Sequence, residues 1–134
     1  MSSNTFYVQA GPSPQNPDMA ACHYYSDYAC TQEVQEPLRI PKDAGEVVFV
    51  LVPYAAAANP SKVSNQWLMV GSVADRVDTA AIDPIMTPAT GNTVRIPMPK
   101  EKTVKQGVIL LFSSQGPTTQ LYASDDPTVI NEGQ

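Results

Sequence analysis

The sequence predicts an all-β fold: one domain of about seven to nine short strands, arranged as a mainly antiparallel β-sandwich. Three observations carry this prediction. Thirteen prolines and seven glycines punctuate 134 residues, while charged residues make up only 16% of the chain, which disfavours long solvated helices. The 43% apolar content is enough for a packed core, which disfavours disorder. Apolar runs of four to six residues recur between turn signals, the longest being VVFVLV from Val47 and VILLF from Val108.

Taken in order, Thr5 to Gln9 alternates as TFYVQ and reads as a short strand, with Phe6 and Val8 on one face and Tyr7 on the other. Gly11-Pro12, Pro14 and Pro17 then break the pattern. This divides the chain into residues 1–18, an N-terminal strand with a Pro-rich arm, and residues 19–134, a sandwich domain with a polar C-terminal tail. The strand is expected either to pair away from the main body or to form an edge of the same domain. Between Cys22 and Cys30, Ser26-Asp27 lies where a hairpin turn is expected. Leu38 to Ile40, bracketed by Pro37 and Pro41, suits an edge strand.

Val47 to Val52 is apolar at both parities and reads as a central strand covered on both faces. Tyr54 to Pro60 reads as an exposed helical turn or an Ala-rich loop. Trp67 is the expected core anchor of QWLMVGSV, in which Gly71 marks a bulge. Asp75 to Met86 reads as a helical turn followed by extended chain. Thr93 to Ile96 is a further strand closed by Pro97, Val108 to Phe112 a second buried strand, and Thr118 to Tyr122 a last one. The Arg-Ile-Pro of residues 39–41 and that of residues 95–97 each lead through a charged link to a glycine, Gly45 and Gly107, and a core strand. These paired units suit the edge and centre of a jelly-roll-like or immunoglobulin-like sandwich.

Residue chemistry narrows the function classes. A net charge of −5 with scattered lysines and arginines supplies no basic stripe for nucleic acid. No apolar run approaches the roughly 20 residues that span a bilayer, and the N-terminus lacks the pattern of a secretion signal, so synthesis in the cytoplasm without a signal peptide is expected. Cys22, His23, Asp27 and Cys30 are the one cluster of metal-ligand types. Seven residues separate the cysteines, however, and no second pair follows, so no metal or cofactor is expected. The two thiols are expected to be buried or, across a hairpin, to form a disulfide. Adjacent Cys22 and His23 point to opposite faces of a strand, which disfavours a Cys–His nucleophile. Neither a G-x-S-x-G elbow nor a Gly-rich phosphate loop is present. Asp75 with Asp78 and Asp125 with Asp126 are carboxylate pairs, but sequence neighbours do not face across a cleft as a glycosidase requires, and Asp125-Asp126-Pro127 and Asp83-Pro84 read as turn chemistry.

What this leaves is a small acidic β domain without a catalytic constellation. The expectation is a non-enzymatic assembly protein, of the virion decoration or cement type, that ends in an assembled particle and has other protein subunits as partners. Its expected interface comprises Phe6, Tyr7 and Val8 on the arm, Tyr24, Tyr25 and Tyr28, and Val129 and Ile130 on the tail. The alternative is a lectin-like or carbohydrate-binding sandwich using the tyrosines and Trp67.

Overall fold

A computed structural model describes residues 4–52, 67–114, 119–125 and 127–132. Its eleven strands are β1 (Thr5–Pro12), β2 (Ala20–Tyr25), β3 (Glu33–Val34), β4 (Leu38–Arg39), β5 (Glu46–Leu51), β6 (Trp67–Arg76), β7 (Ile85–Pro88), β8 (Thr93–Pro97), β9 (Lys105–Ser114), β10 (Leu121–Ala123) and β11 (Thr128–Ile130). They form two sheets, the first in the order β3-β2-β1-β5-β8 and the second in the order β4-β11-β9-β6-β7, with β10 also paired to β9. The all-β sandwich expected from turn spacing is therefore the architecture observed. Pairing is mainly antiparallel, but β1 with β5 and β4 with β11 run parallel, so both sheets are mixed. The strands not marked in the sequence, β3, β7 and β11, are two to four residues long, too short to show a clear period of two.

The core lies between the sheets. On the first sheet Phe6, Val8, Tyr24, Val47, Phe49, Leu51, Val94 and Ile96 face inward. Trp67, Met69, Ala74, Val108, Leu110, Phe112 and Val129 meet them from the second. Phe49 packs against Phe6 and Tyr24 with ring centroids 6.0 and 5.9 Å apart. Trp67, the expected anchor, stacks on Phe112 at 5.5 Å and on Tyr122 at 4.4 Å. Truncating a ring of this kind to alanine costs about 3–5 kcal/mol through lost burial and the cavity left behind.

The Arg-Ile-Pro units behave as the sequence suggests. Strands β4 and β8 are edges of their sheets, whereas β5 and β9 are interior. Each unit crosses between sheets, β4 to β5 from second to first and β8 to β9 from first to second. The bulge also lies where Gly71 marks it, since the β6–β9 register shifts between Met69 and Gly71. A Cβ on Gly71 would come within 2.8 Å of the Thr87 carbonyl oxygen, so β7 can approach here only because the residue is glycine.

Several expectations are corrected. β1 is neither an arm nor an edge. It lies between β2 and β5, and its pairing with β2 continues to Pro12 opposite Ala20. Proline is tolerated there because β5 pairs with β1 only from Thr5 to Val8, so no strand beside Pro12 calls for the missing N–H. Residues 13–19 form the β1–β2 connection, closed by the Ser13 N–H donating to the Met19 carbonyl at 2.9 Å. β2 pairs with β3 across a loop of residues 26–32, which places Cys30 in the loop rather than across from Cys22. The helical turn expected after Asp75 is absent: β6 runs to Arg76, and bends lead to β7. The segment from Tyr54 to Pro60 lies outside the described residues.

The expected polar tail is also internal. β11 fits between β4 and β9, with Val129 fully buried. Asn131, also fully buried, ties the chain after β11 to three positions of the β8–β9 connection. Its Nδ2 donates to the carbonyls of Pro99 at 2.7 Å and Lys102 at 2.9 Å, and its Oδ1 accepts the Val104 N–H at 2.6 Å. Replacing Asn131 with alanine strands these backbone groups in the interior. The expected outcome is a loss of about 3 kcal/mol, read as a lower urea midpoint with the slope unchanged.

Candidate interaction face

A two-layer sandwich covers only one face of each sheet, so the outer faces are where this chain meets its surroundings. On the first sheet that face carries Tyr7, Gln9, His23 and Tyr25, which alternate with the core residues of β1 and β2. Tyr25, Cys30 and Val52 form a small second cluster there, with Tyr7 packed against it. The loop of residues 26–32 folds over this cluster and is braced by Asp27. The Asp27 carboxylate accepts the backbone N–H groups of Thr31 and Gln32, each at 3.0 Å, and the Thr31 hydroxyl. These bonds, that from the Thr31 hydroxyl foremost, hold the Asp27 carboxyl below the ordinary aspartate range.

The cysteine-centred chemistry does not assemble. Cys22 packs on the main core and Cys30 on the outer cluster, so the two thiols lie on opposite sides of the first sheet and form no disulfide. His23 faces outward, its Nδ1 3.1 Å from Glu33 Oε2, and Cys22 faces inward, as adjacent strand residues must. Burial pushes the Cys30 thiol up, and the Asp27 charge adds to that shift. Asp75 accepts the backbone N–H groups of Arg76 and Asp83, and Asp78 accepts from Arg76 Nε at 2.6 Å and from the Lys105 N–H. Both carboxylates therefore brace the chain after β6, and Asp78 also ties it to the start of β9.

The residues expected at an interface are dispersed. Phe6, Val8, Tyr24, Tyr25 and Val129 are buried within this chain, because the fold takes the arm and tail into its sheets. Tyr28 is exposed and meets the half-buried Tyr7 edge-on, with centroids 5.7 Å apart. Ile130 is half-buried on the outer side of the second sheet. The aromatic platform that sugar stacking requires is not brought together from these residues, since Tyr24, Tyr25 and Trp67 are all interior.

Outside the residues expected at an interface, an apolar surface lies on the second sheet. The inner row of β9 is Val108, Leu110 and Phe112, and its outer row holds Ile109 and Leu111. Around them stand Leu68, Val70 and Val73 of β6, Met86 of β7 and Leu121 of β10. Five of these remain open to solvent: Leu68 at 42%, Val70 at 40%, Met86 at 74%, Ile109 at 41% and Leu121 at 67%. Single exposed apolar side chains are ordinary, but a row of them across four adjacent strands is the mark of a contact surface. The signal was present in VILLF, which is apolar at both parities on a strand that can be covered on only one side from within.

The sheet edges, by contrast, are short, which disfavours strand addition. β3 and β4 are two residues long, β7 ends at Pro88 and β8 at Pro97. Compared with known proteins, the chain matches no family model, and no curated protein matches it significantly.

Two outcomes follow for the first sheet. Native Cys30 will alkylate slowly at neutral pH and at an ordinary rate once urea unfolds the chain, as followed by iodoacetamide labelling and mass spectrometry. Because the Asp27 pKa is lowered on folding, its contribution is complete above the ordinary aspartate value and is lost as pH falls through the lower folded value. The amides of Thr31 and Gln32 will therefore keep their exchange protection through mildly acidic pH and lose it only in stronger acid.

Proposed function

We propose that this chain is a non-enzymatic structural subunit that works by protein–protein contact, in an assembled particle of the virion decoration or cement type. The observation that carries the reading is the apolar outer face of the second sheet. Water-exposed Leu68, Val70, Met86, Ile109 and Leu121 cost solubility unless something covers them, and burial on a partner would recover roughly 25 cal/mol per Å² of apolar surface. Short, proline-limited edges support the same reading from the other side, because they leave face packing as the mode of association and disfavour open-ended strand addition. The partners are other protein subunits, and the reading calls for no nucleic acid, membrane, metal or cofactor. Assembly by a donated N-terminal strand is not part of it, since β1 is committed inside its own sheet.

Ile109→Glu and Leu121→Glu place charges on this face without touching the core. Each is expected to leave the far-ultraviolet spectrum and urea midpoint nearly unchanged while reducing incorporation into the native particle more than tenfold, measured by cross-linking and mass spectrometry in the source material. Unchanged incorporation of both variants would refute the reading.

A further inference from the structure

We infer that the occupant of the apolar face is a second copy of this chain, held face to face about a two-fold axis, with Lys105 of each copy seated in an acidic notch of the other. The inference rests on the reading of this face as a contact surface and identifies its partner.

The notch lies over Gly107, at one end of the face. Its walls are Val73, Val77 and Ile109, and the carboxylate residues Asp75 and Asp125 also line it. Glycine creates the space, and nothing larger fits beneath Val77: a Cβ at residue 107 would lie 2.9 Å from Val77 Cγ1. An apolar slot with two carboxylate residues suits a long cationic side chain, whose methylene stem lies on the walls while its head meets the acids.

This face supplies such a side chain itself. Lys105 is exposed on the outer row of β9, and among the described residues its ammonium forms no ion pair. The register places it correctly. Asp75 pairs with Gly107 and Arg76 with Gln106, so Lys105 stands at the same end of the sheet as Asp75, one strand away. A two-fold axis running parallel to the strands, between β6 and β9, exchanges those two strands. It sets Lys105 of one copy above Asp75 and Val77 of the other, and the reciprocal pair forms by symmetry. The same operation lays Ile109 over Val73 and Leu111 near Val70, so apolar rows meet apolar rows at sheet-packing distance.

Sedimentation velocity on the purified chain tests the inference. A dimer is expected at about 100 µM in low salt, with a dissociation constant that rises at least about tenfold in Lys105→Glu. Combining Lys105→Glu with Val77→Lys puts opposite charges back on the superposed positions and is expected to restore the dimer; both sites are exposed, and circular dichroism confirms folding of each variant. In a mixture of labelled and unlabelled chains, carbodiimide should join Lys105 to Asp75 or Asp125 of the other isotope. A monomer at every concentration, or a dimer indifferent to Lys105→Glu, overturns the second-copy assignment. The contact-surface reading fails separately, when Ile109→Glu and Leu121→Glu both leave incorporation into the native particle intact.

Discussion

The sandwich depends on one packing event, the closing of a shared core to which β5 contributes Val47, Phe49 and Leu51 and β9 contributes Val108, Leu110 and Phe112. Both strands are interior to their sheets, so each fixes the register of its neighbours, and the two rows are closed to solvent. Each large side chain buried here contributes about 1.5–3 kcal/mol, which makes this core the reference that other elements join. β1 aligns in parallel on β5, and β6 runs antiparallel along nearly the whole of β9.

Polar groups complete what the apolar rows begin. Asn131 saturates backbone groups at the base of the β8–β9 connection. Ser124, also buried, accepts the Leu110 N–H through its hydroxyl and donates its own N–H to the Leu110 carbonyl, which fixes the corner between β10 and β11. Neither residue has a chemical signature in the sequence. A buried asparagine or serine becomes structural only when distant backbone groups converge on it, and that convergence is a property of the assembled chain.

The same packing explains where contact is made. Two layers bury two faces and leave two outside, and this chain treats its outer faces differently. The first sheet covers part of its outer face with the Asp27-braced loop and the cluster of Tyr25, Cys30 and Val52. The second leaves its apolar outer row open, with the Gly107 notch and Lys105 at one end. Proline at or beside the edges then disfavours the competing route of association through exposed backbone.

By itself the sequence determined the class of fold, the interior places of β5 and β9, the edges at the Arg-Ile-Pro segments, the bulge at Gly71 and the opposed directions of Cys22 and His23. All of these follow from local rules: side-chain alternation with a period of two, the missing N–H of proline and the missing Cβ of glycine. Tertiary structure alone decided that residues 5–12 and 128–130 are internal strands, that Cys30 lies across the sheet from Cys22, and that Tyr24 and Tyr25, expected at a surface, are buried. Strand partners are chosen by contacts between residues far apart in the chain, and a proline-bounded or two-residue strand shows no sign of its partner until the sheet around it exists.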